Sequence, residues 1–205
     1  MNIEKQTTLT LIHQAAMKEF IAKGYKSASL RNIVKTAGVT TGAFYGYYKS
    51  KEELFEALVK EPYEYFMNRF IKAQKDFAAL PEVNQPENLS LTSGECMHDM
   101  LIYAYKHLDE FKLILCHSEG TRFSQLIDEM VEIELKGTDD YLKVLEKLGR
   151  PAPHIDERLK HILITGMFNT FFEMIIHEMP LKDAEYYLKE MRAFYTAGWM
   201  KIMGQ

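Results

Sequence analysis

Cysteine is nearly missing from this sequence, with two residues in 205. Cys96 and Cys116 are too few for a disulfide framework. Cys96 lies near His98, and Cys116 adjoins His117. Neither pair has the C-x-x-C or H-x-x-x-H spacing of a formed metal site, so no metal and no cofactor is expected. Long apolar runs are missing too: none approaches the ~20 residues a membrane span requires. The N-terminus lacks the apolar block of a signal peptide, which leads to the expectation of a cytoplasmic protein with no membrane partner. No stretch alternates with period two, so a sheet is not expected. No nucleophile–base spacing and no phosphate-binding loop is visible, which argues against an enzyme. What is present is apolar mass, 47% of the residues, enough for a globular chain with one large or two small domains.

The most structured stretch is Ser29 to Lys51. Leu30, Ile33 and Val34 recur at helical spacing, as do Phe44 and Tyr48. Ser29 is placed to cap the first segment and Thr40 or Thr41 the second, because a hydroxyl there satisfies amides left free at a helix start. Gly38 stands where a left-handed residue stops a helix at little cost. Two short helices around a glycine turn make a helix-turn-helix, whose second helix, about 40–47, can enter a DNA major groove. With Phe44 and Tyr48 turned inward, Thr40, Thr41, Tyr45 and Tyr47 face outward among the small residues Gly42, Ala43 and Gly46. The hydroxyls offer hydrogen bonds to bases and phosphates, and the small residues allow close approach. Lys49 and Lys51 follow at a helix start marked by a capping box, Ser50 with Glu53, and are expected to clamp phosphate there, while Ser29 and Ala43 complete the expected DNA-binding set.

Charge divides at the same place. Residues 1–51 carry eight Lys or Arg and two acids, a net +6, while the remainder carries −10. A basic head on an acidic body is the electrostatic footprint of a nucleic-acid binder.

The residues Gly24-Tyr25, Ser29-Leu30, Ile33, Ala37-Gly38-Val39-Thr40, Gly42-Ala43-Phe44-Tyr45, Tyr48 and Ser50-Lys51-Glu52-Glu53-Leu54 resemble the DNA-binding domain of the TetR family of bacterial repressors. The resemblance runs without a gap over roughly residues 8–58. It implies a homodimeric, ligand-responsive repressor that holds a palindromic operator in double-stranded DNA. The chain departs from the family at Tyr47, where many members have His, and at Gly46.

Along the chain, residues 5–23 read as an amphipathic helix with Leu9, Ile12, Ala16 and Phe20 on one stripe, ending at Gly24. A long helix follows Lys51 and is expected to bend or end briefly at Pro62. Residues 78–92, with Pro81, Asn84, Pro86 and Asn88, read as a loop. The rest reads as helical, with breaks at Gly137, Gly149–Pro153 and Met179-Pro180. The expected fold is therefore all-α, about nine helices: a helix-turn-helix DNA-binding domain over 1–51 and a helical regulatory and dimerisation domain over 52–205.

Met and aromatic residues crowd the second part, so a mostly apolar effector cavity is expected near Tyr65, Met100, Tyr103, His117, Phe123, Met167 and Phe171. The last two helices, 154–178 and 182–203, are apolar on more than one face. One face serves the core and the other needs a partner, with Ile162, Leu163, Gly166, Thr170, Phe194 and Gly198 on the expected dimer seam. The reading is a repressor released by a small, mostly apolar effector. Two alternatives stand beside it: an all-α enzyme acting on a small apolar metabolite through His117, Glu119 or Glu173, and a scaffold that binds protein only, without salt-dependent DNA affinity.

Overall fold

The fold follows from helical periodicity interrupted at a few capped turns. The structure, a computed structural model, describes residues 7–205. Among them lie nine α-helices and no strand. The expected helix start at residue 5 lies outside the described residues.

α1 spans Thr8–Ser27, capped by Thr7, whose hydroxyl accepts from the Thr10 amide at 3.2 Å. It does not end at Gly24: that glycine kinks the helix (φ 72°, ψ 162°) and a last turn continues to Ser27. Ile12, Ala16 and Phe20 are fully buried, whereas Leu9 at the first turn is 36% exposed, so the apolar stripe starts one turn later than expected. α2 spans Leu30–Ala37, α3 spans Thr41–Tyr45 and α4 spans Lys51–Ala78. α5 covers Gln85–Lys106, α6 Leu108–Cys116, α7 Leu126–Lys147, α8 Glu157–Ile176 and α9 Leu181–Ile202. Short 3-10 turns, Glu82–Asn84 and Arg122–Gln125, precede α5 and α7.

Three expected breaks are absent. Pro62 is buried within an unbroken α4. The proline removes one backbone donor, a cost of about 3 kcal/mol in a helix interior. Burial of Val59, Tyr63, Phe66, Met67 and Phe70 on the same helix offsets it. The expected loop 78–92 is mostly helix, because Pro86 sits in the first turn of α5, where no amide partner is required. The buried Gln85 amide also donates to the Leu80 carbonyl at 3.2 Å, tying off the chain between α4 and α5. Gly137 lies inside α7, not at a break. A β-carbon there would come within 2.6 Å of the Gln74 Oε1, so the glycine permits close packing of α4 on α7. The breaks at Gly149–Pro153 and Met179-Pro180 are present as expected.

The described chain groups into two compact units. One runs through Glu64 and includes His107–Ser124; the other comprises Tyr65–Lys106 and Gln125–Gln205. α4 contributes its first half to one and its second half to the other. In the first unit Phe20, Phe44 and Phe55 are fully buried, and Phe20 meets Phe55 edge-on at 5.0 Å. Tyr25 packs edge-on against Phe55 at 5.2 Å, and its amide donates to the His117 carbonyl at 2.8 Å. The second unit is built on Phe66, Phe168, Phe171 and Phe172, with Phe70 edge-on to Phe168 at 5.6 Å. By length and mean hydropathy α8 is apolar enough to cross a membrane, but Lys160, Asn169 and Glu173 interrupt its apolar run, and Ile164, Phe168, Phe171 and Phe172 place its apolar side in this core.

Candidate functional site: helix-turn-helix surface and apolar cavity

Each turn of the helix-turn-helix has an identifiable chemical cause. The Ser29 hydroxyl accepts from the Asn32 amide at 3.4 Å and starts α2. Gly38 closes it in the left-handed region (φ 67°, ψ 24°), and the Val39 amide reaches back to the Val34 carbonyl at 3.3 Å. The Thr40 hydroxyl caps α3 by accepting from the Ala43 amide at 3.1 Å. α3 is five residues, shorter than the expected 40–47.

Phe44 and Tyr48 are buried, and the Tyr48 hydroxyl lies 2.5 Å from His13 Nε2 on α1. Burial holds the His13 imidazole below its ordinary pKa, so it is disposed to pair as the neutral ring. The face left outside carries Thr40, Thr41, Gly42, Tyr45 and Tyr47, with Ala43 half-buried. Tyr45 and Tyr47 are 54% and 47% exposed, large for tyrosines in a small helical unit. Lys49 is exposed, as are Arg31 and Lys35 on α2, and none has an ion-pair partner among the described residues.

Lys51 is directed elsewhere. Its ammonium donates to the carbonyls of Tyr25, Lys26 and Ala28 at 2.6, 3.2 and 3.1 Å and lies 4.7 Å from the centre of the Tyr25 ring. It therefore closes the C-terminal end of α1, where carbonyls lack helical partners, and is no free phosphate clamp. The capping box is also displaced by one residue. Ser50 Oγ accepts from the Glu53 amide at 3.1 Å, but the Glu53 carboxylate receives the Lys49 amide at 2.6 Å.

The second unit contains a cavity of about 270 Å³. Of the residues expected near an effector, Met100, Met167 and Phe171 line it. Tyr65 and Tyr103 do not; they stack on each other at 3.9 Å. His117 and Phe123 belong to the first unit, where the His117 backbone holds α1 and Phe123 packs 5.2 Å from Tyr63. These four were drawn in by composition, which carries no information about which helix face closes a cavity. The sequence reading passed over Phe70, Gln74 and Phe77 of α4, Glu134 and Thr138 of α7, and Arg192 of α9, all of which line it. Gly94 and Gly137 were the available signal, since each glycine admits one of these polar side chains.

Two charged groups enter this apolar space. Gln74 Nε2 donates to Glu134 Oε2 at 2.6 Å. Burial pushes the Glu134 carboxyl up to about 7, and the Gln74 hydrogen bond opposes the rise. Glu134 is half-buried and lines the cavity. Arg192 donates to the Ser90 carbonyl at 2.6 Å.

On α8 and α9 a separate set of apolar side chains is exposed: Ile162 is 65% and Phe194 74% exposed, and Leu159 and Tyr187 on the same two helices are exposed as well. Thr170 and Gly198 are also exposed, while Leu163 and Gly166 are half-buried. A β-carbon on Gly166 would lie 3.4 Å from the Tyr195 hydroxyl of the same chain, so this glycine serves the α8–α9 crossing within the protomer.

A capped helix-turn-helix with an exposed, hydroxyl-rich second helix defines a DNA-binding regulator. Residues 12–58 match the family described as bacterial regulatory proteins, tetR family. The fatty acid metabolism regulator protein of Bacillus subtilis is 27% identical over 80% of each chain. The regulator UidR of Escherichia coli is 36% identical over 34% of this chain and 36% of its own. A solved structure described as a "Clostridium perfringens putative fatty acid metabolism regulator" superposes with a TM-score of 0.58 at 19% identity, covering 92% of this chain and 97% of that one. Residues 12–58 are thus a DNA-binding domain of the TetR family of bacterial transcriptional regulators, and the relatives that the chain matches are named as regulators.

Proposed function

We propose that the chain is a homodimeric repressor that holds a palindromic operator and is released by a small, mostly apolar effector. Residues 1–51 serve as the DNA-binding domain and 52–205 as the regulatory and dimerisation domain. A two-fold dimer presents its recognition helices symmetrically, which calls for a palindrome. Base reading falls to Thr41, Gly42, Tyr45 and Tyr47. Phosphate contact falls to Thr40 and Lys49, together with Arg31 and Lys35; Ser29 and Ala43 act by fixing the helices. Operator binding places the protein in the cytoplasm.

The observation that carries the effector reading is the cavity, about 270 Å³, with four Phe and six Met among the side chains that line it. The Bacillus subtilis relative is named as a fatty acid metabolism regulator, which favours an effector bearing an acyl chain. Selection of random duplexes on the purified protein tests the DNA half: a palindromic consensus is expected, and recovery of no consensus overturns it. Titration of the selected duplex with acyl compounds tests the other half. An effector must lower operator affinity, and by linkage the operator must lower effector affinity by the same factor.

A further inference from the structure

Charge inside a mostly apolar cavity must be resolved by the ligand or by the protein. The two charged residues lining this one differ in whether the protein can resolve them. Glu134 can discharge by taking a proton, and its carboxyl is already bonded to Gln74. A guanidinium cannot discharge at any pH a protein tolerates. Arg192 has no carboxylate within ion-pair distance among the described residues, and its recorded partner is the uncharged Ser90 carbonyl at 2.6 Å. The side chain is half-buried and lines the cavity beside the exposed Ser90, Ser93 and Thr196, so it stands where the cavity meets solvent between α5 and α9. Its position is built in. A β-carbon at Gly94, buried within α5, would fall 1.9 Å from the guanidinium Nη2, so only glycine leaves the slot that Arg192 occupies.

We infer that the cavity takes an amphiphile with an anionic head, the head paired with Arg192 at the α5–α9 opening and the apolar chain lying inward toward Phe70, Phe168 and Phe171. The inference rests on the proposed effector cavity and adds the polarity of the ligand. Carboxylate and phosphate heads share the required chemistry, since both accept two parallel bonds from a guanidinium fork. A cation would meet a permanent like charge at the entrance. A neutral polar head would leave that charge without a counter-ion.

Isothermal titration of the full chain in the absence of DNA tests this, with decanoate, decyl phosphate, decanol and decylamine below their micelle concentrations. The expected order places one of the two anions first, tighter than decanol by about ten- to a hundredfold, the range of a hydrogen bond to a charged group. Which anion leads identifies the head. Arg192→Ala should bring the anions down to the decanol value while leaving decanol unchanged. Gly94→Ala should do the same without removing a charge, because the flexible guanidinium is expelled from its slot. Equal binding of decanol and both anions, or tightest binding by decylamine, overturns the anionic head and leaves the apolar cavity as an effector site. Binding of none of the four overturns both.

Discussion

Two lysines two residues apart have different work, and only their surroundings tell them apart. Lys49 is exposed and has no ion-pair partner among the described residues, whereas Lys51 bonds three carbonyls at the end of α1. Lys51→Ala should therefore cost about 1–2 kcal/mol of stability, as loss of charge-assisted bonds at a half-buried site does. It should leave the salt dependence of DNA binding unchanged. Lys49→Ala should leave thermal stability unchanged and reduce the salt slope by about one. Thermal melts and affinity over a salt series separate the two, and a flattened slope with an intact melt for Lys51→Ala would return that residue to the phosphate. Glu134 supplies a second case. Its folded pKa of about 7 lies above the ordinary 4.5, so the folded state binds the extra proton between these values. Stability contributed by the neutral acid is present below 4.5 and is lost as pH rises through 7. Glu134→Gln should thus melt higher than wild type at pH 8, by a margin that shrinks on acidification to pH 5. A margin independent of pH would place the carboxyl in contact with bulk water.

At the scale of elements, the caps were legible and the exceptions to glycine and proline punctuation were not. Ser29, Gly38 and Thr40 act through bonds to amides one turn away, so local spacing reveals them. Gly137 and Pro86 look the same on paper as residues that end helices. What keeps Gly137 helical is Gln74, remote in sequence, and what makes Pro86 harmless is its place in the first turn. The cavity was legible as a composition and not as a surface, because Met100, Met167 and Phe171 share it with polar residues from three other segments. The joint between α1 and α2 was missed for the same reason. Glu19 accepts from Lys23 Nζ at 2.8 Å and the Ser29 amide at 3.0 Å, so it holds the residue that caps α2. The Lys23 hydrogen bond first, and the Ser29 amide after it, keep this carboxyl below its ordinary range. A depressed folded pKa means the stabilisation is full above 4.5 and lost as pH falls through the lower folded value. Glu19→Gln should melt lower than wild type at pH 7, and the two melts should converge in acid. A gap that persists unchanged at low pH would mean that Gln fails by shape and not by charge.

For the molecule as a whole, the decisive question is what covers the apolar face of α8 and α9. Ile162 and Phe194 are among the most exposed large apolar side chains in the described structure, and such groups cluster on a protomer surface chiefly where a partner buries them. The seam should therefore be tested at positions whose exposure makes a charge harmless to the isolated protomer. Leu163 and Gly166 fail that condition, since both are half-buried and Gly166 already faces Tyr195 of its own chain. Ile162→Lys, Phe194→Glu and Gly198→Glu satisfy it, the last because nothing lies within 4 Å of a β-carbon there. Each substitution would bury an unpaired charge in the dimer while leaving the protomer free to hydrate it. Light scattering at micromolar concentration should give a dimer for the wild type and a monomer for each variant, with helical circular dichroism retained. Operator affinity should fall with dimerisation, because a monomer keeps one half-site. It should recover at concentrations that force the variants to associate, which distinguishes lost pairing from damage to the helix-turn-helix. A wild type that scatters as a monomer, or variants that remain dimers at full operator affinity, would assign the two-fold axis to another face.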